Sequence, residues 1–106
     1  MRGRDTEVVV DTERGAPVLL HWGPLLAADL DLEALSRASE RPVNGSADTI
    51  APVSVVPEHG AAFTGRPGLA GHRPGGTAWA PQFVTTHVEG DDQTLRVVAR
   101  DEVAEL

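Results

Sequence analysis

The feature that most constrains the fold is a stretch rich in glycine and proline that runs from Asn44 to Phe83. Glycine supplies positive φ and proline fixes φ, so their recurrence every few residues predicts turns. Irregular segments longer than about 15 residues are uncommon in compact domains unless they are functional or disordered. This stretch contains Phe63 and Trp79, large apolar residues of a kind that disordered segments lack. We therefore predict an ordered functional loop over residues 44–82.

The charge and composition of the chain limit its partners. Nine basic and sixteen acidic residues give the 106-residue chain a net charge of −7, which repels phosphate backbones and anionic lipids. We expect neither nucleic acid nor a membrane as a partner. Cysteine is absent, and the first residues offer only three consecutive apolar positions, too few for an export signal. These features predict a cytoplasmic location.

Alternating apolar and polar residues predict a mainly β fold with two hairpins and one short helix. The predicted strands cover approximately residues 6–12, 17–22, 83–89 and 94–100, and the helix covers approximately 32–39. Asp31 is the predicted N-cap of the helix. On the second strand, the period of two places Val18, Leu20 and Trp22 together, so Trp22 is predicted to belong to the core.

Four strands with long loops do not make a closed β protein. The two predicted hairpins leave strand edges that a β protein normally pairs or covers. We therefore expect that the natural protein continues beyond these residues, or that other chains cover these edges.

Several kinds of reactive centre lack their sequence patterns. The four histidines lie far apart in sequence, whereas zinc ligands usually include a closely spaced pair. The nucleophile elbow Gly-x-Ser-x-Gly is absent, and the glycines between residues 65 and 76 do not lie between a strand and a helix, as a phosphate-binding loop requires. We expect no metal and no cofactor in this chain.

Glu58 and His59 stand beside Gly60 and allow two interpretations. They could form an acid/base pair, or they could simply be polar residues of a turn, which is the interpretation we prefer. A glycosidase that used Asp48 and Glu58 as its two carboxylates is disfavoured, because both lie on one loop with no second element to fix their separation.

The loop also carries residues suited to a polyhydroxylated ring. An indole such as that of Trp79 covers the C–H face of a sugar, while the guanidinium groups of Arg66 and Arg73 donate to neighbouring hydroxyls in pairs. Asp48 could accept hydrogen bonds from the same hydroxyls. We predict these four residues as the substrate-binding set. The alternative for Trp79 is a role in the core.

Taken together, six segments of the sequence resemble the start of the N-terminal domain of the α-galactosidases of glycoside hydrolase family 36. Their order and spacing match over nearly the whole chain. The segments are Val18 to Gly23, Gly45 to Pro52, Pro57 to Gly60, Gly65 to Arg73, Trp79 to Phe83, and Leu95 to Val103.

The resemblance implies an architecture that composition alone does not. In that family a large antiparallel β-sandwich precedes a (β/α)8 barrel, so the resemblance implies that residues 1–106 form an incomplete antiparallel β-sandwich. The barrel carries the two aspartates of a retaining mechanism. Neither aspartate has a counterpart here, so the resemblance implies that this chain is catalytically inert by itself. It also implies a galactoside substrate and a homo-oligomeric complete enzyme, a dimer or a tetramer.

A loop of the family's sandwich reaches the active site of a neighbouring subunit with the pattern Gly-x-x-Asp-x-Arg-x-Pro. Asp48 falls on the Asp of that pattern and Pro52 on the Pro, whereas Ile50 replaces the Arg. The resemblance thus implies that Asp48 contacts the galactosyl group. The alternative is an aspartate that caps local backbone amides.

Two functions from different classes follow. The first is the non-catalytic N-terminal part of an α-galactosidase that hydrolyses terminal α-galactosyl linkages in oligosaccharides, contributing to assembly and to the rim of the sugar site. The second is a stand-alone β-sandwich module that binds carbohydrate or a partner without catalysis.

Overall fold

The computed structural model describes residues 1–40 and 53–103. It contains four strands and a helix in the order β1 (Glu7–Asp11), β2 (Val18–Gly23), α1 (Leu32–Ala38), β3 (Val84–Gly90) and β4 (Leu95–Arg100). The prediction of a mainly β fold with one short helix is confirmed. The strands form two separate antiparallel sheets, β1–β2 and β3–β4, and a sandwich of packed sheets is not confirmed. No helix in this described part of the chain has the length and apolar character needed to cross a membrane.

The first hairpin contains an irregularity that changes which residues share a face. Val9 pairs with His21 and Val10 pairs with Leu19, so Leu20 is the extra residue of a β-bulge. Cross-strand partners lie on the same face of a sheet. The bulge therefore places Leu19 and Trp22 on one face, opposite Val10 and Val8 respectively.

The prediction that Trp22 belongs to the core is wrong. Its side chain is 75% exposed, and Leu19 on the same face is also exposed. The simple alternation of Val18, Leu20 and Trp22 fails because the bulge inserts one residue between the first and the last of them. We call the residues Val8, Val10, Leu19 and Trp22 the hairpin face.

A hydrogen bond between two side chains attaches helix α1 to the first hairpin. Ser36 Oγ donates to Asp11 Oδ2 over 2.6 Å, and Ser36 is buried. This hydrogen bond is the main reason why the pKa of Asp11 lies below its usual value. The helix begins at the predicted cap, where Asp31 Oδ1 accepts from the backbone N–H groups of Glu33 and Ala34.

The two sheets meet at the turn between β1 and β2. The carbonyl oxygen of Gly15 accepts from the backbone N–H of Thr85 over 3.0 Å and from the Thr85 hydroxyl over 2.7 Å. Gly15 has a φ of 98°, which a residue with a side chain rarely adopts. The start of β3 is thereby fixed beside the first hairpin.

The described residues contain no large side chain that is fully buried. The buried positions include polar groups instead, namely Ser36, Glu58 and Asp101. Charged groups are seldom buried unless they are hydrogen-bonded or paired. The burial of Glu58 and Asp101 therefore has to be explained by the groups that surround them.

Candidate functional site

A compact loop forms the first part of the site. Its two ends are joined by a hydrogen bond of 2.8 Å from Gly68 N–H to the Pro57 carbonyl. Within it, Phe63 N–H donates to the Glu58 carbonyl over 3.1 Å, and Ala62 N–H donates to the His59 carbonyl over 3.0 Å. Loops of this length with joined ends are stabilised by their own residues and are frequently functional. We call residues 57–68 the braced loop.

Glu58 attaches the braced loop to the entrance of β3. Its Oε2 accepts from the backbone N–H of Phe83 over 3.2 Å, and the residue is only 2% exposed. Its other oxygen, Oε1, is buried and has no hydrogen-bond partner among the residues that the structure describes. Burial is the main reason why the pKa of Glu58 lies above its usual value, and the neighbouring charge of Asp101 acts in the same direction.

Asp101 holds the adjacent backbone amide. It follows β4, is 6% exposed, and accepts from Gln82 N–H at Oδ2 over 2.7 Å and from Val103 N–H at Oδ1 over 2.8 Å. Two buried carboxylates from distant parts of the chain thus bind the consecutive amides of Gln82 and Phe83. This arrangement fixes the segment that leads into β3 from both sides.

Close backbone packing completes the attachment. A Cβ atom at Gly60 would lie 2.5 Å from the Pro81 carbonyl oxygen and 2.8 Å from that of Ala80. Real Cβ atoms do not approach oxygen so closely, so only glycine allows the loop to lie against residues 80–81.

The aromatic part of the site is the pair formed by His59 and Trp79. Their ring centroids are 6.1 Å apart, with the planes inclined at 48°. The Nδ1 atom of His59 lies 2.9 Å from the Phe63 carbonyl oxygen, which fixes the imidazole relative to the braced loop. The Trp79 side chain is 63% exposed. An indole that contacts an imidazole and is otherwise exposed is a surface on which an apolar ring face can lie.

A pocket of about 380 Å³ is lined in part by the same segment. Its lining includes Ala78 and Ala80 but not Trp79, whose ring lies against His59. The polar groups that line it come from Arg73, Thr77, Gln82 and Asp101. A tight turn presents Arg73, since its N–H donates to the Thr77 carbonyl over 2.8 Å. Hydroxyls or an anion would suit these donors and acceptors.

The structure describes three of the four predicted binding residues and places each in a different setting. Trp79 stands exposed beside His59, Arg73 lines the pocket, and Arg66 is exposed on the braced loop. Asp48, together with Ile50 of the same pattern, lies outside the described residues. In the described part of the chain, no three histidine or acidic side chains are grouped so that they could hold a metal ion.

Sequence reasoning missed the roles of Glu58 and Asp101. From its sequence neighbours alone, Glu58 is interpreted as a polar residue of a turn. In the structure its carboxyl group is buried and accepts a hydrogen bond from the backbone N–H of Phe83. A pattern of residue types does not distinguish a buried carboxylate from an exposed one. The only local signal was an acidic residue two positions before Gly60, in a segment with large apolar residues.

Comparison with known proteins identifies the family. Residues 15–106 match the glycosyl hydrolase family 36 N-terminal domain. An α-galactosidase from Escherichia coli is 43% identical over 102 residues, which cover 95% of this chain but only 14% of that protein. No solved structure matches. Because the family match covers most of the chain and the relative supports it, the chain belongs to the N-terminal domain of glycoside hydrolase family 36.

Proposed function

We propose that this chain is the non-catalytic N-terminal part of an α-galactosidase that hydrolyses terminal α-galactosyl linkages in oligosaccharides. The observation that carries the proposal is the identity of 43% to the E. coli α-galactosidase over nearly the whole chain. The chain spans only 14% of that relative, so the reaction itself is assigned to parts of the complete enzyme that the match does not cover.

The carboxylates of the site support a non-catalytic role. A retaining glycosidase needs two carboxyl groups that flank the scissile bond and reach the substrate. Glu58 and Asp101 are both buried, and each accepts a hydrogen bond from the backbone. Their position suits the support of a loop better than attack on a sugar.

Trp79 is the residue that we propose for the rim of the sugar site. Its indole is exposed, and its orientation is fixed by His59 on the braced loop. Galactose presents a C–H face that stacks on an indole, while Arg66 and Arg73 supply donors for hydroxyls. Asp48 is proposed as a further galactosyl ligand on the basis of the family pattern alone.

The hairpin face supports a role in assembly. Its four residues are apolar, and two of them, Leu19 and Trp22, are exposed. Exposed apolar groups of this kind commonly mark surfaces that another protein segment covers. We propose that this face packs against the remainder of the enzyme, and that the complete enzyme is a homo-oligomer.

A chimera tests the proposal. This chain replaces the matched segment of the E. coli α-galactosidase, and hydrolysis of nitrophenyl α-galactoside is measured for the chimera, for the parent enzyme without that segment, and for the chain alone. We expect activity only in the chimera. A chimera that folds and assembles like the parent but does not hydrolyse the substrate would contradict the proposal.

The isolated chain also distinguishes the proposed function from the alternative, a stand-alone carbohydrate-binding module. Isothermal titration of the chain alone with galactose, melibiose and raffinose should give no heat of binding if the sugar site needs the rest of the enzyme. Saturable binding by the isolated chain would favour a stand-alone carbohydrate-binding module.

A further inference from the structure

We propose that Glu58 is a positioning residue which, in its protonated form, fastens the braced loop and the His59–Trp79 pair to the start of β3. The inference goes beyond the proposed function, since it concerns how the aromatic pair is held and does not depend on what binds there.

The hydrogen bonds of Glu58 are too few for a buried anion. Within residues 1–40 and 53–103, Oε2 accepts one hydrogen bond, from Phe83 N–H, while Oε1 is buried without a partner. A carboxylate removed from water needs several donors to replace its hydration, whereas a neutral carboxylic acid loses far less on burial. The geometry therefore favours the protonated group.

The groups that face Glu58 act in two directions, because the charge of Asp101 raises its pKa and the hydrogen bond from Phe83 N–H lowers it. Asp101, at the end of β4, is a second buried carboxylate whose charge opposes a charge on Glu58. From the entrance of β3 the facing group is the neutral N–H of Phe83. His59, the adjacent residue on the braced loop, has its imidazole at the Phe63 carbonyl and the Trp79 ring. Burial has the largest effect on the pKa of Glu58, and together with the charge of Asp101 it outweighs the Phe83 hydrogen bond, so the pKa is raised.

A chain of contacts links Glu58 directly to the aromatic pair. Its own carbonyl accepts from Phe63 N–H, the Phe63 carbonyl lies at His59 Nδ1, and His59 contacts Trp79. Ionisation places a poorly hydrated charge beside Asp101, and that charge gains hydration only if the loop moves away from β3. A raised folded-state pKa means that this attachment is strongest at low pH and weakens as the pH rises through that pKa.

Nuclear magnetic resonance of the full chain, with carbon-13 in the glutamate carboxyl groups, tests the proposal. We expect the Glu58 carboxyl to titrate above the ordinary value of 4.5. The amide signals of Phe63 and Phe83 and the indole signal of Trp79 should shift with the same midpoint. Glu58→Gln, a neutral variant of the same shape, should abolish these shifts and keep the low-pH positions at all pH values.

The matched control is Glu89→Gln, since Glu89 is exposed at the far end of β3 and is paired with Arg96. It should leave the Phe83 and Trp79 titrations unchanged. His59→Asn removes the ring that contacts Trp79, and the Phe83 shift should persist in this variant. The proposal is overturned if Glu58 titrates at or below 4.5, or if it titrates above this value while Phe83 and Trp79 do not follow. Both outcomes are read in the wild-type chain and need no variant to fold.

Discussion

The two tryptophans of the chain are both exposed, yet their surroundings differ. Trp22 lies on the hairpin face, where its neighbours are Val8, Val10 and Leu19. Trp79 lies on an irregular segment, where His59 contacts its ring and buried carboxylates hold the adjoining backbone. Exposure alone therefore does not assign a role.

The difference shows how the support of a side chain bears on its function. An apolar face made only of aliphatic residues and Trp22 offers area but no directional groups, which suits packing against another protein segment. A single exposed indole that contacts an imidazole suits the apolar face of a sugar ring. The following substitutions should separate the two regions.

Glu58→Ala should have the largest effect. It leaves Phe83 N–H unpaired and removes buried atoms, which together should lower the free energy of unfolding by about 3 kcal/mol. Chemical denaturation followed by circular dichroism measures this loss, and Glu89→Ala is the exposed control. A change no larger than that of the control would mean that Glu58 does not hold the loop on β3.

Gly60→Ala should lower the free energy of unfolding by about 2 kcal/mol, because its Cβ would overlap the carbonyl oxygens of Ala80 and Pro81. Gly71→Ala is the matched control, since nothing lies within 4 Å of a Cβ at that position. Thermal unfolding of the two variants measures the difference. Equal melting temperatures would contradict the close packing of the braced loop against residues 80–81.

Ser36→Ala tests the other region. It removes the hydrogen bond to Asp11, so the free energy of unfolding at pH 7 should fall by about 1.5 kcal/mol. Because the pKa of Asp11 is lowered in the fold, the stabilisation by this group exists above the unfolded-state value and disappears as the pH falls through the folded-state value. Denaturation at pH 7 and in acid should therefore show a difference that shrinks in acid. A difference that stays constant would exclude the charge of Asp11 as its source.

The sequence predicts both hairpins, but it does not predict which residues share a face of the first hairpin. Alternation along β4 places Leu95, Val97 and Ala99 together, and the observed pairing agrees. In β2 the same rule fails at Leu20, because a bulge depends on the register of two strands and leaves no mark on one of them. Trp22 was misplaced for this reason.

The candidate site was predicted only in part. Glycine, proline and aromatic residues indicated an ordered loop, and Trp79 was expected either to bind a ring or to pack in the core; its exposure disfavours the second. The contribution of Asp101 could not be predicted, since its contact with Gln82 depends on how the chain folds back after β4. Asp48 stays a prediction, because it lies outside the described residues.

The most direct test of the central claim is to compare Trp79→Ala with Trp22→Ala in the chimera with the E. coli enzyme. An aromatic contact worth about 1 kcal/mol should make KM for melibiose about fivefold higher in Trp79→Ala, with kcat little changed. Trp22→Ala should leave KM unchanged and lower the stability of the assembled enzyme. The same KM for Trp79→Ala as for the unsubstituted chimera, or a raised KM for Trp22→Ala alone, would contradict the account.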